Sequence, residues 1–328
     1  MTELPSKKIL TVSIAAYNVE RYLGQALESC VSAIDYLDII VVNDGSKDGT
    51  LEVADKWAQR YPDSIRVVDK PNGGYGSTIN AAIPLARGKY FRYLDGDDWF
   101  DSEDLLEYVA LLARSSADAV VTPYRRVYES GDKPEVMDCT DYLRDGAHGI
   151  DELDPSRAIA AASIAYSTEL LADSSFRMTE ECFYTDVEYA YLPMRFVKTL
   201  CISRVPVYQY RIGREGQSVS VEGVRRHHAD IVRVCTRLIR EIGGMEGAAA
   251  PYLSGCLVKE CCVAYRYLCI SGPGGEVKSE LRDFDGLVGR ESPSTYAQMG
   301  ERSKLVTLLR RTGFLAWRLV CARCQGRA

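Results

Sequence analysis

Two hydrophobic patterns alternate along the first 125 residues. Short apolar runs rich in β-branched residues occupy 9–16, 39–42, 65–68, 90–94 and 119–122. That is the pattern of strands buried on both faces. Between them, apolar positions recur at helical spacing. One set is Tyr22, Leu23, Ala26, Leu27 and Cys30, and a second is Leu51, Val53, Ala54, Trp57 and Ala58. Shorter stretches at 77–86 and 105–113 continue the alternation. Such spacing predicts helices with one face turned to a core. Strands alternating with helices predict an α/β fold on a doubly wound, mainly parallel sheet.

The pattern then breaks. Gly131, Pro134, Gly146, Gly149 and Pro155 interrupt residues 126–160, which read as an irregular insertion. The sheet resumes over 161–210, with 205–210 as its last strand. Gly213, Gly216 and Gly223 read as a loop cluster at a domain boundary. Beyond it, 224–242 and 251–270 read as amphipathic helices, and the tail as a final helix after a weaker segment. The expected organisation is a sheet domain over 1–212 and a helical C-terminal domain over 213–328.

Composition narrows the class. With 46% hydrophobic and 26% charged residues, the chain of 328 residues has the balance of a folded protein. A net charge of −6 argues against general nucleic-acid binding. The charge is polarised: residues 301–328 carry a net +6, leaving −12 for the rest. No apolar run approaches the roughly 18 residues a membrane span needs. With no export signal in view, the eleven irregularly spaced cysteines are expected as reduced thiols in a cytoplasmic protein. Cys321 and Cys324 lack a second pair at zinc-site spacing and read as helix positions. His148, His227 and His228 show no metal-ligand spacing, and neither a dinucleotide fingerprint nor a Walker A loop occurs.

The candidate chemistry lies at the carboxyl ends of the strands, where open α/β sheets bind ligands. The first strand ends in Ala15, Ala16, Tyr17 and Asn18. The second runs into Asn43, Asp44, Gly45, Ser46, Lys47, Asp48, Gly49 and Thr50. The third leads to Asn72, Gly73, Gly74, Tyr75 and Gly76, and the fourth ends in Asp95, Gly96, Asp97 and Asp98. Three carboxylates in four residues repel one another unless a cation joins them, and hard oxygen ligands suit Mg²⁺ or Mn²⁺ shared with a diphosphate. The same residues could instead cap the following helix, the role assigned to Asp101 and Asp104. Asp44 could accept from a base N–H or a ribose hydroxyl, or close an Asx-turn. Tyr17 could stack on a base or cover the strand end.

Taken together, these segments resemble family 2 glycosyltransferases, which have the GT-A fold. The resemblance rests on 12–18, on 40–50, on Asn80, on 86–90 and on 94–99, in that order over about a hundred residues. The family usually has Pro at position 15, Asp at 43, and Ser or Ala at 96, where this chain has Ala15, Asn43 and Gly96. The resemblance implies an inverting transfer of a sugar from a nucleotide-diphosphate donor, commonly a UDP-sugar, to an acceptor hydroxyl. Ala16, Tyr17, Asn18, Asp44 and Asn72 would line the nucleotide. Asp95 and Asp97 would be the D-x-D pair, with Asp97 the stronger ligand of Mn²⁺ or Mg²⁺ and Asp95 nearer the ribose or sugar. The general base would be Asp186, with Glu180 and Glu181 as rivals. Arg211 and Arg214 could close over the diphosphate. Thr185 and Glu188 also have the spacing of a capping box.

Two matters stay open on the residues. The tail over 304–320 mixes cationic and apolar residues. It fits either an anionic membrane surface, with Phe314 and Trp317 at the interface, or a helix docked on the body. Partners are a saccharide or lipid-linked acceptor, with self-association a further option. A sugar-phosphate nucleotidyltransferase, or a non-catalytic nucleotide-sugar-binding scaffold, are the competing functions.

Overall fold

The computed structural model describes residues 8–213 and 220–325. The chain forms two compact units. One comprises Met1–Glu152 with Ile159–Arg214, and the other Leu153–Ala158 with Glu215–Ala328.

The first unit opens with β1 (Leu10–Ala16), α1 (Glu20–Glu28), β2 (Leu37–Asp44), α2 (Thr50–Arg60), β3 (Ile65–Lys70), α3 (Tyr75–Ala82) and β4 (Tyr90–Asp95). The strands β3, β2, β1 and β4 pair in parallel, in that order. Every residue of β2 is buried, as a strand covered by helices on both faces must be. The helix α1 turns Leu23, Ala26 and Leu27 into the core. Next come β5 (Trp99–Phe100), α4 (Ser102–Arg114) and β6 (Ala119–Val121). Asp101 caps α4, accepting from the N–H groups of Glu103 at 3.1 Å and Asp104 at 3.2 Å. Asp104 faces Arg125 instead of capping, with a 3.7 Å contact.

The segment expected to be irregular contains strands β7 (Tyr124–Tyr128), β8 (Glu135–Met137) and β9 (Gly146–Gly149). None carries an apolar run, because each is only partly covered. Then follow β10 (Ile164–Ser167), α5 (Thr168–Asp173), α6 (Asp186–Tyr191), β11 (Thr199–Ile202) and β12 (Tyr208–Ile212). In the main sheet, β10 inserts antiparallel between β4 and β6, and β11 and β9 complete that edge. The final strand does not join this sheet. Instead β12 pairs with β5 and β7 in a second, four-stranded sheet. That sheet lies beside the end of β4.

The second unit is helical: α7 (Val221–Ile242), α8 (Ala250–Ser271), α9 (Gly275–Glu291), α10 (Pro293–Arg302), α11 (Lys304–Arg311) and α12 (Trp317–Gln325). The helix α8 is buried over most of its length, so it is a central helix and not an amphipathic one. Gly255 admits this packing: a Cβ there would stand 1.9 Å from the Pro155 carbonyl oxygen. Gly223 lies in the first turn of α7, where its N–H donates to the Ser220 cap at 3.1 Å; it is not a loop residue. The tail is two helices, broken at Gly313 and Phe314, both in the left-handed region. All eleven cysteines are free thiols.

Candidate active site at the strand ends

The loop after β4 is a tight turn in which the Asp98 N–H donates to the Asp95 carbonyl at 3.0 Å. Gly96 presses against β1, its N–H donating to the Ala15 carbonyl at 3.0 Å. A Cβ at 96 would meet that same oxygen at 2.8 Å, so this backbone path suits glycine.

The carboxylates of this turn divide into two kinds. Asp98 is buried and spent on structure. Its Oδ2 accepts from the Tyr208 hydroxyl at 2.7 Å, and its Oδ1 from the Arg211 N–H at 2.8 Å. Burial and the charges of Asp95 and Asp97 hold its pKa well above the usual carboxylate range. Asp95 and Asp97 keep some exposure at the strand end. Burial, followed by the charge of Asp97, pushes the Asp95 carboxyl up to about 7; Tyr75 and Tyr208 oppose that rise, and Asp186 adds to it. Asp186, at the start of α6, is thus within electrostatic reach of the Asp95 carboxylate despite lying far away in the chain.

Contacts to α3 bring Asp186 there. The Asn80 side chain donates to the Met178 carbonyl at 2.9 Å and accepts from the Met178 N–H at 2.7 Å. It also donates to the Glu180 carboxylate at 2.9 Å. The Glu181 N–H donates to the Gly73 carbonyl at 2.7 Å. Gly76 allows the close approach, since a Cβ there would lie 2.2 Å from the Thr179 carbonyl oxygen. Glu180 and Asp186 are both exposed; Glu180 accepts from Asn80, and Asp186 opens α6 beyond the pinned segment. The capping box is not formed. Glu188 is buried and accepts from the Thr179 N–H and hydroxyl, both at 2.7 Å, and the Thr185 hydroxyl has no hydrogen-bond partner. Glu181 and Tyr184 hold left-handed backbone in this segment, strain of the sort that collects at functional sites.

On the nucleotide side, Ala16 is buried, while Tyr17 is 51% exposed. Asn18 is left-handed, its Oδ1 accepting from the Lys47 N–H at 2.8 Å, so it clamps the loop after β2 to the end of β1. Asp44 is buried and clamps the loop before α3. It pairs with the Lys70 ammonium at 2.6 Å and accepts from the N–H groups of Gly73 at 3.0 Å and Gly74 at 2.9 Å. Asn72 is exposed and donates to the Asp44 carbonyl at 3.0 Å.

Arg211 has its guanidinium engaged within this unit. It donates to the Asp97 carbonyl at 2.8 Å and to Gln25 at 2.6 Å, and its centre lies 4.7 Å from the Trp99 ring and 4.9 Å from the Tyr22 ring. Arg214 lies outside the described residues. Sequence reasoning missed Tyr208 and Asp98 as one element. The hydroxyl of Tyr208 bridges Asp98 and the Asp95 N–H, the latter at 3.2 Å. The signal available was the polar ring of Tyr208 in an otherwise apolar strand start.

The donor set fits a divalent cation. It offers two hard carboxylates, one of them crowded enough to favour a proton near neutrality, a crowding that a cation relieves. Among the described residues, no three acidic, histidine or cysteine side chains converge as a preformed cage. Magnesium-type sites commonly take one or two carboxylates and complete the shell with phosphate oxygens and water.

Residues 11–165 match the family model "Glycosyl transferase family 2". This stretch, just under half of the chain, is similar to family 2 glycosyltransferases. EpsH of Bacillus subtilis, named as a glycosyltransferase, is 31% identical over 144 residues, covering 44% of this chain and 40% of EpsH. The chondroitin synthase of Pasteurella multocida is 36% identical over 96 residues, 29% of this chain and 10% of that protein. This chain thus matches less than half the length of either relative. Among solved structures, TarS residues 1–349 of S. aureus in complex with UDP-GlcNAc superposes with a TM-score of 0.59 at 18% identity, covering 93% of this chain and 92% of that one. The mannosyltransferase PcManGT of Pyrobaculum calidifontis, solved with GDP-Man and Mn²⁺, gives 0.52 at 18% identity, covering 99% and 88%. The chain shares the GT-A fold of these structures, with a helical C-terminal region.

Proposed function

We propose that this chain is an inverting, metal-dependent glycosyltransferase. It transfers a sugar from a UDP-linked donor to an acceptor hydroxyl, in the synthesis of a cell-surface polysaccharide. What supports this reading is the crowding of Asp95 and Asp97 in one tight turn at the end of β4, with Asp186 within electrostatic reach of Asp95. In this reading 1–212 is the catalytic domain, and 213–328 shapes acceptor binding or subunit contact.

Tyr17 stacks on the base, and the loops clamped by Asn18, Asp44 and Asn72 line the nucleotide. Asp95 and Asp97 hold the divalent cation, which when bound neutralises charge on the departing diphosphate. Asp186 accepts the proton of the acceptor hydroxyl. The oxygen then bonds to the anomeric carbon as the bond to the diphosphate breaks, and UDP leaves. Attack opposite the leaving group inverts the configuration. Arg211 acts as a positioning residue, holding the Asp97 backbone. The acceptor is a saccharide or a lipid-linked saccharide, and the protein works in the cytoplasm at the inner face of the plasma membrane.

A thermal-shift panel of nucleotide sugars with and without Mn²⁺ tests this reading. A ligand at a hundred times its Kd stabilises the native state by about 2.7 kcal/mol. The expected result is a Mn²⁺-dependent rise with a UDP-sugar that Asp97→Ala abolishes while the unliganded melting temperature holds. No rise with any nucleotide-diphosphate sugar would favour a scaffold that keeps the fold without the chemistry.

A further inference from the structure

The geometry points to an anionic membrane surface as the partner of the outward face of α11 and α12. Residues 304–325 contain no Asp or Glu. Their inward positions are apolar: Val306, Leu309, Phe314, Trp317 and Val320 are buried. The two aromatic residues expected at an interface therefore serve the core of this unit. Leucines stand outside in their place, with Leu315 86%, Leu319 71% and Leu308 43% exposed.

Arginines alternate with these leucines. Arg310 is internal, paired with Asp285 at 2.7 Å and lying over the Tyr296 ring at 3.5 Å. Arg311, Arg318 and Arg323 are exposed. Among the described residues they form no ion pair, although the chain as a whole is acidic. Three unpaired cations interleaved with three exposed leucines match the two components of an anionic bilayer, headgroup charge and acyl chains. Leu315 sits at the turn between the two helices, where it projects. A projecting leucine suits entry into a bilayer interface, whereas a protein partner would more often be met by a groove. Arginine side chains can lie along such a surface with their heads at the phosphates. Among the described residues no helix is long and apolar enough to cross a membrane, so the contact is peripheral.

This deepens the location assigned above but does not depend on sugar transfer, so the two fail separately. The test is sedimentation of the full chain with phosphatidylglycerol vesicles and with phosphatidylcholine vesicles, alongside light scattering without lipid. Binding to phosphatidylglycerol vesicles that weakens with salt is expected, with little binding to phosphatidylcholine. A Leu315→Asp, Leu319→Asp double variant and an Arg311→Glu, Arg318→Glu double variant should each lose about tenfold or more in vesicle affinity. Their melting temperatures and nucleotide-sugar shifts should be unchanged, because the altered side chains face outward. Equal binding to both vesicle types, or to neither, overturns the proposal. So does a dimer without lipid that the leucine variant dissolves, which would assign the face to a second copy of the chain.

Discussion

Tyr208→Phe is the most incisive perturbation, because it removes one oxygen and little else. The ring is fully buried and is held edge-on by Phe100 and Tyr93, with centroids at 6.1 and 6.3 Å, and by the Arg92 guanidinium at 5.5 Å. Phenylalanine keeps all of these contacts, so no large cavity opens. The hydroxyl itself makes two bonds. It donates to the buried Asp98 carboxylate at 2.7 Å and accepts from the Asp95 N–H at 3.2 Å. A buried hydrogen bond contributes about 0.5–1.5 kcal/mol net, and leaving its buried partner unsatisfied costs about 1–3 kcal/mol. Asp98 keeps only its bond from the Arg211 N–H, and the Asp95 N–H loses this acceptor. The expected cost is about 2–3 kcal/mol, which for a unit of this size lowers the melting temperature by roughly 5–10 °C. Chemical denaturation followed by circular dichroism gives the first figure and a thermal scan the second. The same change should weaken the Mn²⁺ dependence of the nucleotide-sugar shift, since the turn carrying Asp95 and Asp97 loses its buttress. A loss under about 0.5 kcal/mol, the range of a neutral surface substitution, would refute the strut reasoning.

Asp186→Asn should leave nucleotide-sugar binding intact while lowering kcat by about 10²-fold or more, the contribution expected of a general base. Steady-state kinetics with a competent acceptor checks it, and an unchanged kcat would move the role to Glu181. Gly76→Ala should destabilise the fold by about 1–3 kcal/mol, because its Cβ would stand 2.2 Å from the Thr179 carbonyl oxygen. It should also lower kcat by displacing the segment that carries Asp186, whereas a wild-type melting curve would show that the two segments separate freely.

The strands of the main sheet were legible because buried parallel strands have a simple pattern. The run 39–42 sits inside β2, and the helical spacing from Tyr22 to Leu27 falls on α1. The second sheet was not legible. Residues of β7 are all partly covered, and the sequence Tyr-Arg-Arg-Val-Tyr has no apolar alternation to set it apart from a polar loop. The placement of β12 beside β5 also has no local signal, because it depends on Asp98 accepting from Tyr208 and Arg211. The tail was read as basic and apolar, which is what it is. Which apolar residues face outward could not be read, because the break at Gly313 and Phe314 resets the helical phase and turns Trp317 inward.

Residue types and their order along the chain determined the alternating core and the polar strand ends. They determined the crowded carboxylates of 95–98 and the acid-free cationic tail. These are local properties, set by side-chain chemistry and backbone period. Tertiary structure alone decided that Asp98 is a buried strut while Asp95 and Asp97 keep partial exposure at the strand end. It alone decided that Asp44 and Arg211 hold loops in place, and that Asn80 and Gly76 draw Asp186 toward a carboxylate some ninety residues away. A carboxylate's role is set by which donors, charges and solvent surround it, and those neighbours come from distant parts of the chain once it is folded.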